Sequence, residues 1–159
     1  MNDEKINVLI SACLLGVPCR YDGKSKKCVD KIDGVNFIPF CPESAGGLKT
    51  PRAPAEIIGD RVINKEGKDV TTEYLKGSVS ALETALKYNC KIAVLKDKSP
   101  SCGTNGVYDG SFSGTVRSGM GITAKLLSDN RIAVIGENQI NFLKNQIFIE
   151  KGIDKGGEV

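Results

Sequence analysis

Short apolar runs separated by polar, glycine-rich or helical stretches organise the chain. Ile6–Ser11 is a run of the kind that suits a strand covered on both faces. Val35–Phe40, Lys91–Leu95 and Arg131–Ile135 repeat the pattern, and each is predicted to be a strand. Leu75, Val79, Leu82 and Leu86 recur at helical spacing, which predicts a helix from about Thr72 to Tyr88, with Thr71 or Thr72 able to cap its start. Pro42 suits the first turn of another helix and would set Glu43 beside exposed backbone N–H groups. Ile122–Leu127 reads as a short helix and Gln139–Phe148 as a closing one. Glu56–Asn64 and Lys68–Val70 resemble a small β excursion turning at Gly59-Asp60 and Glu66-Gly67. The Gly- and Ser-rich stretch Thr104–Gly121 should be loop rather than core, and the basic segment Lys24–Lys31 has no evident structural role. Strand and helix alternate without an internal repeat, low-complexity tract or linker. This predicts a single α/β domain over residues 1–159 with a largely parallel sheet.

Composition narrows the function classes. A length of 159 residues suits one domain, and 40% apolar with 26% charged residues indicates neither disorder nor a membrane protein. The apolar runs fall far short of the ~20 residues that span a bilayer. The opening MNDEKINVL has no cleavable apolar stretch, so a cytoplasmic location is expected. A net charge of +3 is mild and scattered, and no nucleic-acid partner is expected. Six cysteines and no histidine stand out. Without histidine there is no Ser-His-Asp triad, Cys-His dyad, histidine zinc site or haem ligand of that type. Proton transfer must use Asp, Glu, Lys, Tyr, Cys or water.

In a reducing compartment six thiols serve metals or catalysis more often than disulfides. They lie at 13, 19, 28, 41, 90 and 102, and no pair has the CxxC spacing of zinc ribbons, thioredoxin-like motifs or ferredoxin runs. Any metal site must be assembled from distant segments. Cys13, Cys41 and Cys102 each follow a predicted strand closely, and in open parallel sheets ligands bind beyond the carboxyl ends of the strands. Three thiolates on one rim would hold an iron–sulfur cluster or a zinc ion with one position open, and ligand softness does not choose between these. Cys19 is a possible fourth ligand or a resolving thiol. Glu43, two residues from Cys41, is the best-placed carboxylate for acid–base work. A phosphatase loop needs Arg six residues after its cysteine; Cys19 stands there after Cys13, and Arg20 comes one later. No Walker loop or GxGxxG opens a helix.

Four ordered segments, SACLLGVPCRYDG (11–23), FCPESAGGLKTPRAPAEI (40–57), LKDKSPSCG (95–103) and YDGSFSGTVRSGMGITAKLL (108–127), resemble the bacterial thiouracil desulfurase family over nearly the whole chain. The resemblance implies a Rossmann-like three-layer fold. It also implies a [4Fe-4S] cluster held by Cys13, Cys41 and Cys102, with one iron free for the sulfur of a small thiolated substrate. Glu43 and Ser101 fall in segments resembling the family's catalytic ones, with Ser99 a second serine. The implied reaction is non-redox desulfuration, C=S to C=O.

Plainer readings stand beside these. Cys90 suits the core and Cys28 an incidental surface position. Glu43 could merely complement a helix N-terminus. Ser99 and Ser101 could be turn residues around Pro100, and Arg52 could bind an anionic group or pair with Glu56. The stretch 103–121 could be a lid or only a long loop. A zinc-dependent hydrolase using the same thiolates and a non-catalytic thiol or metal-binding domain are the competing functions. The oligomeric state is not legible.

Overall fold

The computed structural model describes residues 5–145 and 147. Strand β1 (Ile6–Ser11) pairs in parallel along its full length with β2 (Val35–Phe40), from Ile6 opposite Val35 to Ser11 opposite Phe40. Helix α1 (Pro42–Ala45) follows at once. Strands β3 (Ala55–Ile58) and β4 (Arg61–Asn64) make the antiparallel excursion expected from the turn at Gly59-Asp60. Helix α2 (Thr71–Lys87) leads into β5 (Ile92–Leu95), which lies parallel to β1 on the side away from β2. A two-stranded ribbon, β6 (Val107–Tyr108) and β7 (Val116–Arg117), precedes α3 (Ile122–Asp129) and β8 (Ala133–Gly136), which pairs in parallel with β5. The central sheet therefore runs β2-β1-β5-β8, all parallel.

Strand alternation sorts the core into two faces. Val8, Ile10, Val94 and Ile135 meet Leu14, Val29, Leu143 and Ile147 on one. Leu9, Ala93 and Leu95 meet Ala81 and Ala85 of α2 and Ala124 and Leu127 of α3 on the other. Helices on both faces of a parallel sheet make three layers, as anticipated. Residues 140–145 and 147 are helical, Gln139 ends a 3₁₀ turn (Glu137–Gln139) just before them, and positions 146 and 148 of the expected closing helix lie outside the described residues.

Four local expectations need correction. The apolar stripe that reveals α2 does not bury it: Leu75, Val79 and Leu86 are 50%, 51% and 62% exposed. Gly77, Ser78, Ala81 and Ala85 face inward instead. At Gly77 the reason is the closeness of α1, because a Cβ there would collide with the Pro42 carbonyl and one on Gly46 with the Glu73 carbonyl, while Ala81 and Ala85 face the sheet and α3. Secondly, Thr71 does not cap α2 with its hydroxyl, which instead accepts from the Val62 N–H at 2.8 Å. Thirdly, the 104–121 stretch is not wholly loop, since Val107 in β6 is completely buried against Ile57 and Val62. Lastly, the final strand starts at Ala133 because Arg131 takes a left-handed turn (φ 67°) closing α3.

Candidate functional site

Sheet order reverses at β1: the chain leaves β1 toward β2 and later returns to β5 on its other side. The carboxyl ends of strands flanking such a point form a crevice. A cavity of about 310 Å³ opens there, the small end of the usual range for ligand sites.

Thiols gather around it from the segments that follow β1, β2 and β5, though not all of them line it. Cys13 lies in the 3₁₀ turn Ala12–Leu15 that extends β1, and Gly16, at φ 108°, closes that turn. The basic segment 24–31 acquires a role here. The Lys26 N–H donates to the Cys13 carbonyl at 3.0 Å, and the Cys28 and Val29 N–H groups donate to the Leu14 carbonyl. Cys41 stands at the junction of β2 and α1, its thiol 3.9 Å from the Cys19 carbonyl that it faces as a donor. Cys13, Cys19 and Cys41 all line the cavity. Cys102 does not line it; only 4% exposed, it lies behind, next to Ser11, Ser101 and the charge of Glu43. The loop carrying it is shaped by Asp97, whose Oδ1 accepts from the Lys98, Thr104 and Asn105 N–H groups.

These environments favour protonated thiols. A hydrogen bond with Cys19, then burial, push the Cys41 thiol well above its ordinary range. Burial raises Cys102 to about 12. Cys19 is raised chiefly by its hydrogen bond with Cys13, against a lowering one with Cys41. A metal must displace these protons to bind. Cys28 is exposed and Cys90 is buried in the α2–α3 core, both away from the cavity.

Facing the thiols is a carboxylate. Glu43 lies in the first turn of α1, and the Tyr74 hydroxyl donates to its Oε2 at 2.7 Å. Arg52 Nε and Nη2 reach the same oxygen at 3.3 and 3.2 Å, and Nη2 also donates to the Cys19 carbonyl at 3.0 Å. Among the described residues no donor reaches Oε1. Arg52 thus pairs with Glu43 rather than Glu56, whose carboxylate accepts from the Gly110 and Phe112 N–H groups. Burial, then the Glu43 charge, push the Tyr74 phenol far above its usual range, so it stays a donor.

The two serines separate. Ser99 lines the cavity, and its Oγ accepts from the Ser101 and Cys102 N–H groups at 3.1 and 3.2 Å. Ser101 is completely buried, its Oγ 2.7 Å from Thr123 Oγ1, and does not line the cavity. Tyr74 escaped sequence reasoning. Its signal was a phenol on the face of α2 carrying small residues, a place where a buried hydroxyl needs a partner.

Four soft thiols with no imidazole suit iron–sulfur or zinc chemistry rather than hard cations. Among the described residues no three Cys, Asp or Glu side chains converge on a single-ion position, which a lone zinc with Zn–S near 2.3 Å would need. In a cubane each thiolate ligates a different iron, and soft thiolates are the donors such a cluster takes. The donor set fits a cluster.

A Bacillus subtilis (strain 168) relative, described as uncharacterized protein YbbK, is 40% identical over 147 residues, spanning 84% of this chain and 97% of the relative. The solved structure of the [4Fe-4S]-dependent thiouracil desulfidase TudS matches with a TM-score of 0.85 at 43% identity, covering 92% of this chain and 99% of that one. The sequence profile described as 2-thiouracil desulfurase matches residues 8–139, which include Cys13, Cys19, Cys41, Cys102, Glu43, Arg52, Tyr74 and both serines. The chain therefore belongs to the 2-thiouracil desulfurase family.

Proposed function

We propose that this protein carries out iron–sulfur-dependent, non-redox desulfuration of a thiolated nucleobase such as thiouracil, with Cys13, Cys41 and Cys102 holding a [4Fe-4S] cluster. The observation that carries the reading is the joint presence, at one crevice, of soft thiols and a carboxylate anchored through a single oxygen. Cys13, Cys41 and Cys102 follow β1, β2 and β5, three neighbouring strands of one sheet. Cys19 sits on a loop fastened by Arg52, its carbonyl facing the Cys41 thiol at 3.9 Å.

When bound, the cluster supplies a soft electrophilic iron position better suited to a thiocarbonyl sulfur than to a carbonyl oxygen. The chain's own groups handle the water and the ring. Glu43 Oε2 is held by Tyr74 and Arg52, which leaves Oε1 to take a proton from the water attacking the C=S carbon and to return it to the sulfur that departs. The Ser99 oxygen already accepts two N–H bonds, so its own proton is available to a ring oxygen or nitrogen in the cavity. Ser101, whose hydroxyl is engaged with Thr123, supports the Cys102 loop rather than touching the ring. Water is consumed, sulfide is released, and the carbon keeps its oxidation state, so no electron donor is required.

The partner is a small thiolated molecule. All six cysteines are free thiols, which suits a reducing cytoplasm. No helix among the described residues is long and apolar enough to cross a membrane.

Anaerobic reconstitution with iron and sulfide tests the proposal. The expected result is about four irons per chain, broad visible absorption, and conversion of thiouracil to uracil with one sulfide per turnover. A colourless protein holding one zinc and hydrolysing without iron would replace it with the zinc-hydrolase reading.

A further inference from the structure

Helix α2 carries a pattern that the fold leaves unused. Leu75, Val79, Leu82 and Leu86 are spaced four, three and four residues apart, the d-a-d-a order of a coiled-coil seam. Leu75, Val79 and Leu86 are at least half exposed, and Leu82 packs at the edge of the core. Isolated exposed leucines are ordinary, whereas a continuous stripe along about 16 Å of helix is not.

The flanking charges say what covers it. Lys76 and Glu83 occupy successive e positions, both exposed. Two helical turns, about 10 Å, separate them, so they do not reach each other. Neither has an ion-pair partner among the described residues. In an antiparallel pair of helices a faces d and e faces e. Two copies of α2 aligned so that Val79 meets Leu82 and Leu86 meets Leu75 bring Lys76 of each against Glu83 of the other. A parallel pair would oppose each e position to g, here the buried Ser78 and Ala85, and would pair no charge. The seam begins after the exposed polar Thr72 and ends where α2 stops at Lys87.

We propose that α2 is the interface of a two-fold symmetric homodimer, with the apolar seam sealed by two Lys76–Glu83 ion pairs. Such a contact is isologous and closes on itself. It leaves the cavity accessible, because Tyr74 reaches Glu43 from the separate, buried face of α2. One short seam lies below the roughly 1,200 Å² of a standard interface, so the dimer is dissociable rather than obligate.

Sedimentation equilibrium of the full chain, up to about 1 mM, is expected to show a monomer–dimer equilibrium. Lys76→Glu and Glu83→Lys should each weaken association about tenfold or more, and the two together should restore it, since the pairs are exchanged rather than removed. Val79→Glu should give a monomer with parental circular dichroism and iron content. A parental chain that stays monomeric over this range, a dimer indifferent to Lys76→Glu and Val79→Glu, or a double variant that fails to regain association would each overturn the proposal.

Discussion

The cavity has two walls built in different ways. On the thiol wall, Cys13 and Cys41 follow the ends of adjacent strands, with Cys102 behind them in the loop after β5, and their placement follows from local chain order. On the carboxylate wall, Glu43 depends on Tyr74, 31 residues away and brought to it by the close approach of α1 and α2, and on Arg52, nine residues away in a loop tied to the Tyr21 carbonyl. The first wall is set by topology and the second by packing. Metal retention should therefore be lost through the thiols and turnover through the carboxylate, each independently of the other.

Removing a thiol is the sharpest way to break this division. Cys13→Ala, Cys41→Ala and Cys102→Ala should each abolish stable cluster binding, measured as iron per chain and visible absorption, while Cys28→Ala and Cys90→Ala retain it. Loss with Cys90→Ala but retention with Cys41→Ala would overturn the ligand assignment. Next in size, Glu43→Gln should keep the iron and the absorption yet lower turnover by roughly 10²–10⁴-fold, the usual share of one acid–base group. If that variant loses the cluster, the two walls are not separable. Tyr74→Phe removes one hydrogen bond to a carboxylate, about 1.5–3 kcal/mol, and should reduce kcat about tenfold or more with KM and iron content near the parent's. Retained activity there would mean that Arg52 alone orients Glu43.

The smallest effect is on pH. Folded Cys41 and Cys102 have raised thiol pKa values, so at neutral pH both remain protonated and iron uptake by the apoprotein should quicken as pH rises. The sign for stability is the reverse. Above about pH 9 the unfolded thiols ionise while the folded ones stay neutral toward about 12, so apoprotein stability to urea should fall in that window. A urea midpoint flat from pH 8 to about 10 would contradict this.

Strand positions, the helix opened by Pro42 and the thiol-bearing rim were legible because each depends on a short run of residues. The orientation of α2 was not. Its large apolar residues mark helical periodicity, but Gly77 fits the crowded approach of α1 and Ala81 and Ala85 fit against the sheet, and no local pattern shows that crowding. The serine roles divided for a similar reason. Ser99 and Ser101 are two residues apart in one loop, and the hydroxyl of Thr123 in α3 draws the second inward. Arg52 was recognised as a pairing residue, but whether it met Glu43 or Glu56 depended on the Gly110 and Phe112 amides, distant in sequence, that occupy the Glu56 carboxylate.

The backbone of the basic segment is fastened to the turn that carries Cys13 through the amides of Lys26, Cys28 and Val29. Those three protons act as a gauge of that turn. Their exchange with deuterated solvent records how often the Cys13 loop opens, and occupancy of the crevice would be read there as slower exchange at amides that touch no ligand.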